Sequence, residues 1–132
     1  TIGDERSHPV LDVRSLTKVF GSGSTDIAIA DILEEAKRTY HVYHIHANEG
    51  SYRDNDAILN PWRDLIGENL LIMNDQNSIA ELIATTVAVI NGADAAEVLK
   101  TFDTNTAKAI GDAIKDIVKV EKVAGKSGIV NL

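Results

Sequence analysis

The run Leu70-Leu71-Ile72-Met73 is apolar at four successive positions, with Gly67 before it and Asn74-Asp75 after it. A half-buried strand alternates apolar and polar residues, whereas a short strand with no polar face is one covered on both sides, as in a parallel sheet. His41 to Ala47 carries β-branched and aromatic residues alternating with histidines and predicts a second strand. Thr1-Ile2-Gly3 reads as the end of another, running into a Gly-Asp turn. Between these stretches the period is helical. Pro9 suits a helical first turn, followed by Val10, Val13, Leu16, Val19 and Phe20, with Gly21-Ser22-Gly23 as the stop. Ser24, Thr25 or Asp26 can cap a helix to about Thr39, and Ala57 to Ile66 predicts one interrupted near Pro61 and closed by Gly67. Ser78 is placed to cap Ile79 to Ile90, which Asn91-Gly92 terminates; Ala93 to Lys100 and a helix from Asp103 or Thr104 follow, with a loose tail from Gly125.

The order β-α-α-β-α-β-α-α-α implies an α/β, Rossmann-like fold of three layers, a parallel sheet flanked by helices. All 132 residues form a single domain in this reading, with residues 93–124 as a helical C-terminal extension. Three strands, the first very short, leave a sheet edge open. The expectation is therefore a doubly wound domain truncated at its N-terminus.

Composition removes several functions. There is no cysteine, hence no disulfide, thiolate zinc site or cysteine nucleophile. Thirteen basic residues against twenty acidic ones, a formal net charge of −7, disfavour nucleic acid as a partner, because phosphate neutralisation needs a basic face. The lysines from Lys115 to Lys126 alternate with acids and read as a solvated helix face. No apolar run approaches the ~20 residues of a membrane span, and no signal-peptide pattern opens the sequence, so the expected location is cytoplasmic.

Chemistry-bearing residues gather where the strands end. His44 and His46 share one face of their strand, with His41 opposite, and a His-x-His pair suits zinc if a third ligand comes from His8, Asp4 or Glu49. That is the alternative reading: a small α/β metalloprotein or enzyme. The competing role for these histidines is packing under a loop. Glu49 and Asp75 follow two strands, but no nucleophile or general-base pairing accompanies them. Gly21-Ser22-Gly23-Ser24 could cradle an anion and reads better as a capping loop. Trp62 is expected in the core between helix and sheet, and Tyr52 and Arg53 on a partner surface.

Thr1-Ile2-Gly3-Asp4-Glu5 resembles the end of the fourth strand of a von Willebrand factor A-type domain. Tyr43-His44-Ile45-His46, Trp62-Arg63-Asp64-Leu65-Ile66-Gly67, Leu70 to Met73, Asp75 and Ser78 to Ile90 are similar, in order, to the C-terminal half of its intracellular bacterial and phage members. The likeness covers Thr1 to Ile90. It implies a non-enzymatic protein-interaction module with a metal-ion-dependent adhesion site, where Asp4 matches one magnesium ligand and the Asp-x-Ser-x-Ser ligands have no counterpart. The site is then partial, with Mg2+ held only in a longer protein. A protein partner would bind the loops through Glu49, Tyr52, Arg53 and Asp75. The open edge would pair with the missing N-terminal half or with a second copy in a homodimer.

Overall fold

The computed structural model describes residues 1–21 and 25–127. Its centre is a three-stranded parallel sheet in the order β1 (Ile2–Gly3), β4 (His44–Ala47), β5 (Leu70–Met73). The register sets Ile2 beside Ile45 and Gly3 beside His46, then runs from His44 beside Leu70 to Ala47 beside Met73. Because side chains alternate, β4 and β5 send one set of residues to each face. Ile45, Leu71 and Met73 pack beneath α4 (Ile79–Ile90) and α6 (Thr104–Ser127) with Leu82, Val89, Ile110 and Ile114. Leu70 and Ile72 meet Leu59, Trp62 and Ile66 of α3 (Asp56–Ile66) and Leu33 of α2 (Ile29–Lys37). These are the helix, sheet and helix layers that the apolar run requires. The helices after Gly92 are part of the same packing, since Ile110, Ile114 and Ile117 of α6 are buried in the larger core.

The sequence reading erred on several boundaries, each for a local reason. Pro9 starts no helix. Val10–Leu11 (β2) pairs antiparallel with Ile27–Ala28 (β3), a ribbon with no clear sequence signal, and α1 runs from Val13 to Phe20. Asp12 is the stronger cap, accepting from Arg14 N and Ser15 N and so satisfying two orphan amides, while Pro9 O accepts from Ile29 N. The cap expected from Thr25 or Asp26 is not formed. Ala28 holds that position without a side-chain bond, and Asp26 instead accepts from Val13 N at 2.7 Å. Ser24, Ser22, Gly23 and the tail beyond Ser127 lie outside the described residues, and helix α6 includes Gly125.

Pro61 does not interrupt α3, which runs through it and ends at Gly67, whose φ of 57° a side chain would resist. β4 starts at His44 rather than His41. β5 occupies Leu70 to Met73 as expected, entered through a tight turn at Gly67–Asn69, where Asn69 Nδ2 donates to Val42 O. Ser78 heads α4 without capping it, because its hydroxyl donates to Asp75 Oδ2. Asp94 caps the short α5 (Ala95–Leu99), and Asp103 accepts from Asn105 N and Thr106 N at the start of α6.

Leu71 and Leu82 are each at most 1% exposed in the larger core. Leu71→Ala or Leu82→Ala should cost about 2–5 kcal/mol in urea denaturation, while Val19→Ala, on an exposed position of α1, should stay within about 0.5 kcal/mol.

Candidate functional site

Parallel strands bring the loops that follow them to one end of the sheet, the usual ligand side of an open α/β fold. Here the loops after β4 and β5 are tied together by one side chain. Asn48 is buried; its Nδ2 donates to Asp54 Oδ1 at 2.8 Å and to Asn74 Oδ1 at 2.6 Å. Its Oδ1 accepts from Asp54 N, and its own backbone N–H donates to Met73 O. Asp54 has a φ of 51°, a left-handed conformation that Asp tolerates and that two bonds to Asn48 hold in place. Glu49 adds a further tie by accepting from Gln76 N at 2.9 Å. The loop after β1 is joined to α3 instead, through Trp62 Nε1 donating to Glu5 O at 2.9 Å.

The four loop residues singled out from the sequence divide by what they do. Glu49 and Asp75 spend their carboxylates on the loops themselves. Asp75 accepts from Ser78 Oγ, Asn77 N and Asn77 Nδ2, and those bonds, the Ser78 bond first, hold its carboxyl below the usual range. Tyr52 and Arg53 are exposed, the Arg53 guanidinium meeting only Asp54, at 3.6 Å, among the described residues. Asp4 is exposed just past β1, and its charge is felt by His46.

His44 and His46 do share a face, with ring centroids 6.5 Å apart, and both are buried. His44 lies flat against Trp62 at 3.8 Å with an interplanar angle of 10°, and its Nδ1 shares a hydrogen bond with Thr1 Oγ1 at 2.8 Å. Among the described residues, its Nε2 and both ring nitrogens of His46 have no hydrogen-bond partner. Burial pushes the His44 imidazole down to about 4, with the Thr1 ammonium and His46 adding to the shift. Burial also lowers His46, against the opposing pull of Asp4 and Asp54. Both rings are therefore neutral at physiological pH. Among the described residues no group of three or more His, Asp or Glu is placed to hold a metal ion, so neither the histidine pair nor Asp4 gains the companions a cation requires.

Trp62 occupies the place between helix and sheet expected of it, packing against the Leu59, Ile66 and Leu70 cluster and stacking its ring on His44 as well. Asn48, the centre of the loop network, was not singled out from the sequence. Asp54 lies 6 positions on in the same loop, whereas Asn74 lies 26 positions away and comes within reach through the register that sets Ala47 beside Met73. No protein-family model, curated protein or solved structure matches the chain. Among the described residues, no helix is long and apolar enough to cross a membrane.

An unfolded histidine takes up a proton near pH 6.5, whereas folded His44 resists it until about 4. The unfolded chain thus binds more protons in this interval, and stability should fall as pH drops from 6.5 towards 4, by about 3 kcal/mol from His44 alone. His44→Phe keeps a flat ring against Trp62 and removes that titration. Urea denaturation at pH 7 and pH 4.5 should show a smaller loss for this variant than for the parent chain; an equal loss would assign the acid sensitivity elsewhere.

Proposed function

We propose that this chain is a non-enzymatic protein-interaction module of the von Willebrand factor A type, which takes its partner on the loops at the carboxyl ends of its strands. The observation that supports the reading best is the Asn48 network, because it turns two loops into one rigid platform with Tyr52 and Arg53 exposed upon it. Loops already fixed in their bound shape lose little entropy on association, and Tyr and Arg are the residue types that most often anchor interfaces. The strand order, with consecutive parallel strands joined through helices, is compatible with such a domain. The same reading places the protein in the cytoplasm.

The magnesium that the resemblance implies does not fit the residues present. Asp4 stands without two further acidic or histidine ligands among the described residues, so an adhesion site of the family's kind would need ligands that these residues do not supply. No step of binding is therefore routed through a metal. The residues that follow the strands on this side are predominantly acidic, with Asp4, Glu5, Glu49, Asp54 and Asp75 against Arg6 and Arg53 in number.

Tyr52→Ala combined with Arg53→Glu alters only exposed side chains. Cross-linking capture from the native host should lose the partner of the parent chain by about tenfold or more with this variant and retain it with Val19→Ser. Retention by both would remove the strand-end loops from the interface.

The proposal includes a second contact at the other end of the sheet's width. Among the described residues β1 pairs on one side only, Ile2 is 54% exposed, and a groove of about 440 Å³ lined by Ile2, Ile45, Leu71, Ile83 and Val87 runs beside it. Unpaired strand edges next to apolar surface recruit another chain, and a second copy paired about a two-fold axis is the simplest occupant. Sedimentation velocity at micromolar concentration should give a dimer that Val87→Glu dissociates; a monomer at every concentration would overturn the homodimer.

A further inference from the structure

Helix α2 has nine residues, and none of its side chains is buried. So short a helix does not sustain itself in water and depends on packing of its apolar face. That face is wider than the core it meets. Ile29, Ile32, Leu33 and Ala36 cover an arc of the helix, and only Leu33 is packed against the Leu59 cluster. Ile32 is left 38% exposed. Beside it lie Ile27 of β3, also 38% exposed, and Tyr40 just past the helix, 69% exposed. With Ala36 these residues form an apolar groove of about 570 Å³, edged by Asp31 and Glu35 one helical turn apart.

The charges on that edge are available. The Asp31 carboxylate has no hydrogen bond or ion pair among the described residues. Glu35 pairs with Arg38 at 2.8 Å across an open surface, where both side chains are more than 70% exposed and the pair contributes little. An apolar floor with acids along one edge complements one shape in particular: a helix whose apolar stripe is flanked by lysine or arginine at four-residue spacing.

We propose that the α2–β3 groove is the docking site for a basic amphipathic helix of a partner protein. This surface is separate from the strand-end loops and does not depend on them. A second copy placed groove to groove would bring the same acidic edge, Asp31 and Glu35, and not the lysine or arginine that this edge complements, and an anionic membrane is disfavoured by the same two carboxylates.

The test uses the whole chain, labelled with nitrogen-15, and a synthetic helical Leu/Lys peptide of about 18 residues with leucines at i, i+3, i+4 and i+7. Amide shifts should move between Thr25 and Tyr40, and Glu35→Lys or Asp31→Lys should weaken binding by about tenfold while the spectrum of the free chain stays folded. A peptide with glutamate in place of lysine should not bind, which probes the charge requirement without any mutation. Four results would overturn the proposal: shifts spread over the acidic surface at large, equal binding of the glutamate peptide, concentration-dependent shifts at these amides without peptide, or shifts induced by anionic vesicles of phosphatidylserine and phosphatidylcholine.

Discussion

Everything in this fold hangs on β5 being covered on both faces. Its four residues have no polar side to offer water, so Leu71 and Met73 demand one helical layer and Leu70 and Ile72 another. β4 is then fixed beside β5 in parallel register, since a slip of one residue would exchange the apolar and histidine faces of the neighbouring strand. The parallel arrangement in turn delivers the ends of β1, β4 and β5 to one side. The candidate site is thus a consequence of how a four-residue strand is buried.

The histidine face of β4 sets two imidazoles into the sheet's buried layer, in register with the apolar Leu70 and Ile72 of β5. An aliphatic pair at positions 44 and 46 would fill the same layer without unpartnered nitrogens, whose desolvation costs roughly 1–3 kcal/mol each when no bond replaces water. Trp62 offsets part of that cost through its flat contact with His44, and it also fastens the Glu5 carbonyl, so one ring links strand, helix and the loop beyond β1. His46 has no such compensation; the carboxylates of Asp4 and Asp54 act on it only through space.

What could be read from the sequence was what depends on local patterning: the apolar run of β5, the period-two histidines of β4, the helical stripes of α3, α4 and α6, and the Gly67 stop. What could not be read depends on partners distant along the chain. Val10-Leu11 follow Pro9 at helical spacing from Val13, yet they pair with Ile27-Ala28, because Asp12 claims the helix start and β3 supplies the backbone partner. Asn48 looks like any loop asparagine until Asn74 is placed opposite it. The exposure of Tyr52 and Arg53 was legible as a loop property, whereas the structural employment of Glu49 and Asp75 required knowing which amides stood nearby.

Rigidity is distributed unevenly, and this bears on where partners can act. The strand-end loops rest on a packed sheet and are cross-tied by Asn48, so a ligand binding there would meet a preformed surface and lose little entropy in ordering it. Among the described residues, α1, α2 and the β2–β3 ribbon are held by fewer ties: the two-residue pairing itself, the Asp12 cap of α1, the Val13 N–Asp26 bond, the Lys37 Nζ–Leu65 O bond, and the packing of Leu16 and Leu33. A segment such as β3 with α2, tied this lightly, opens at lower free energy than the core. A helix laid along α2 would bury Ile27 and Ile32 and so stabilise this segment as well as bind it. Occupancy of the groove and order of the β2–β3 ribbon are therefore coupled, while the Asn48 platform, built on different contacts, keeps its shape whether the groove is filled or empty.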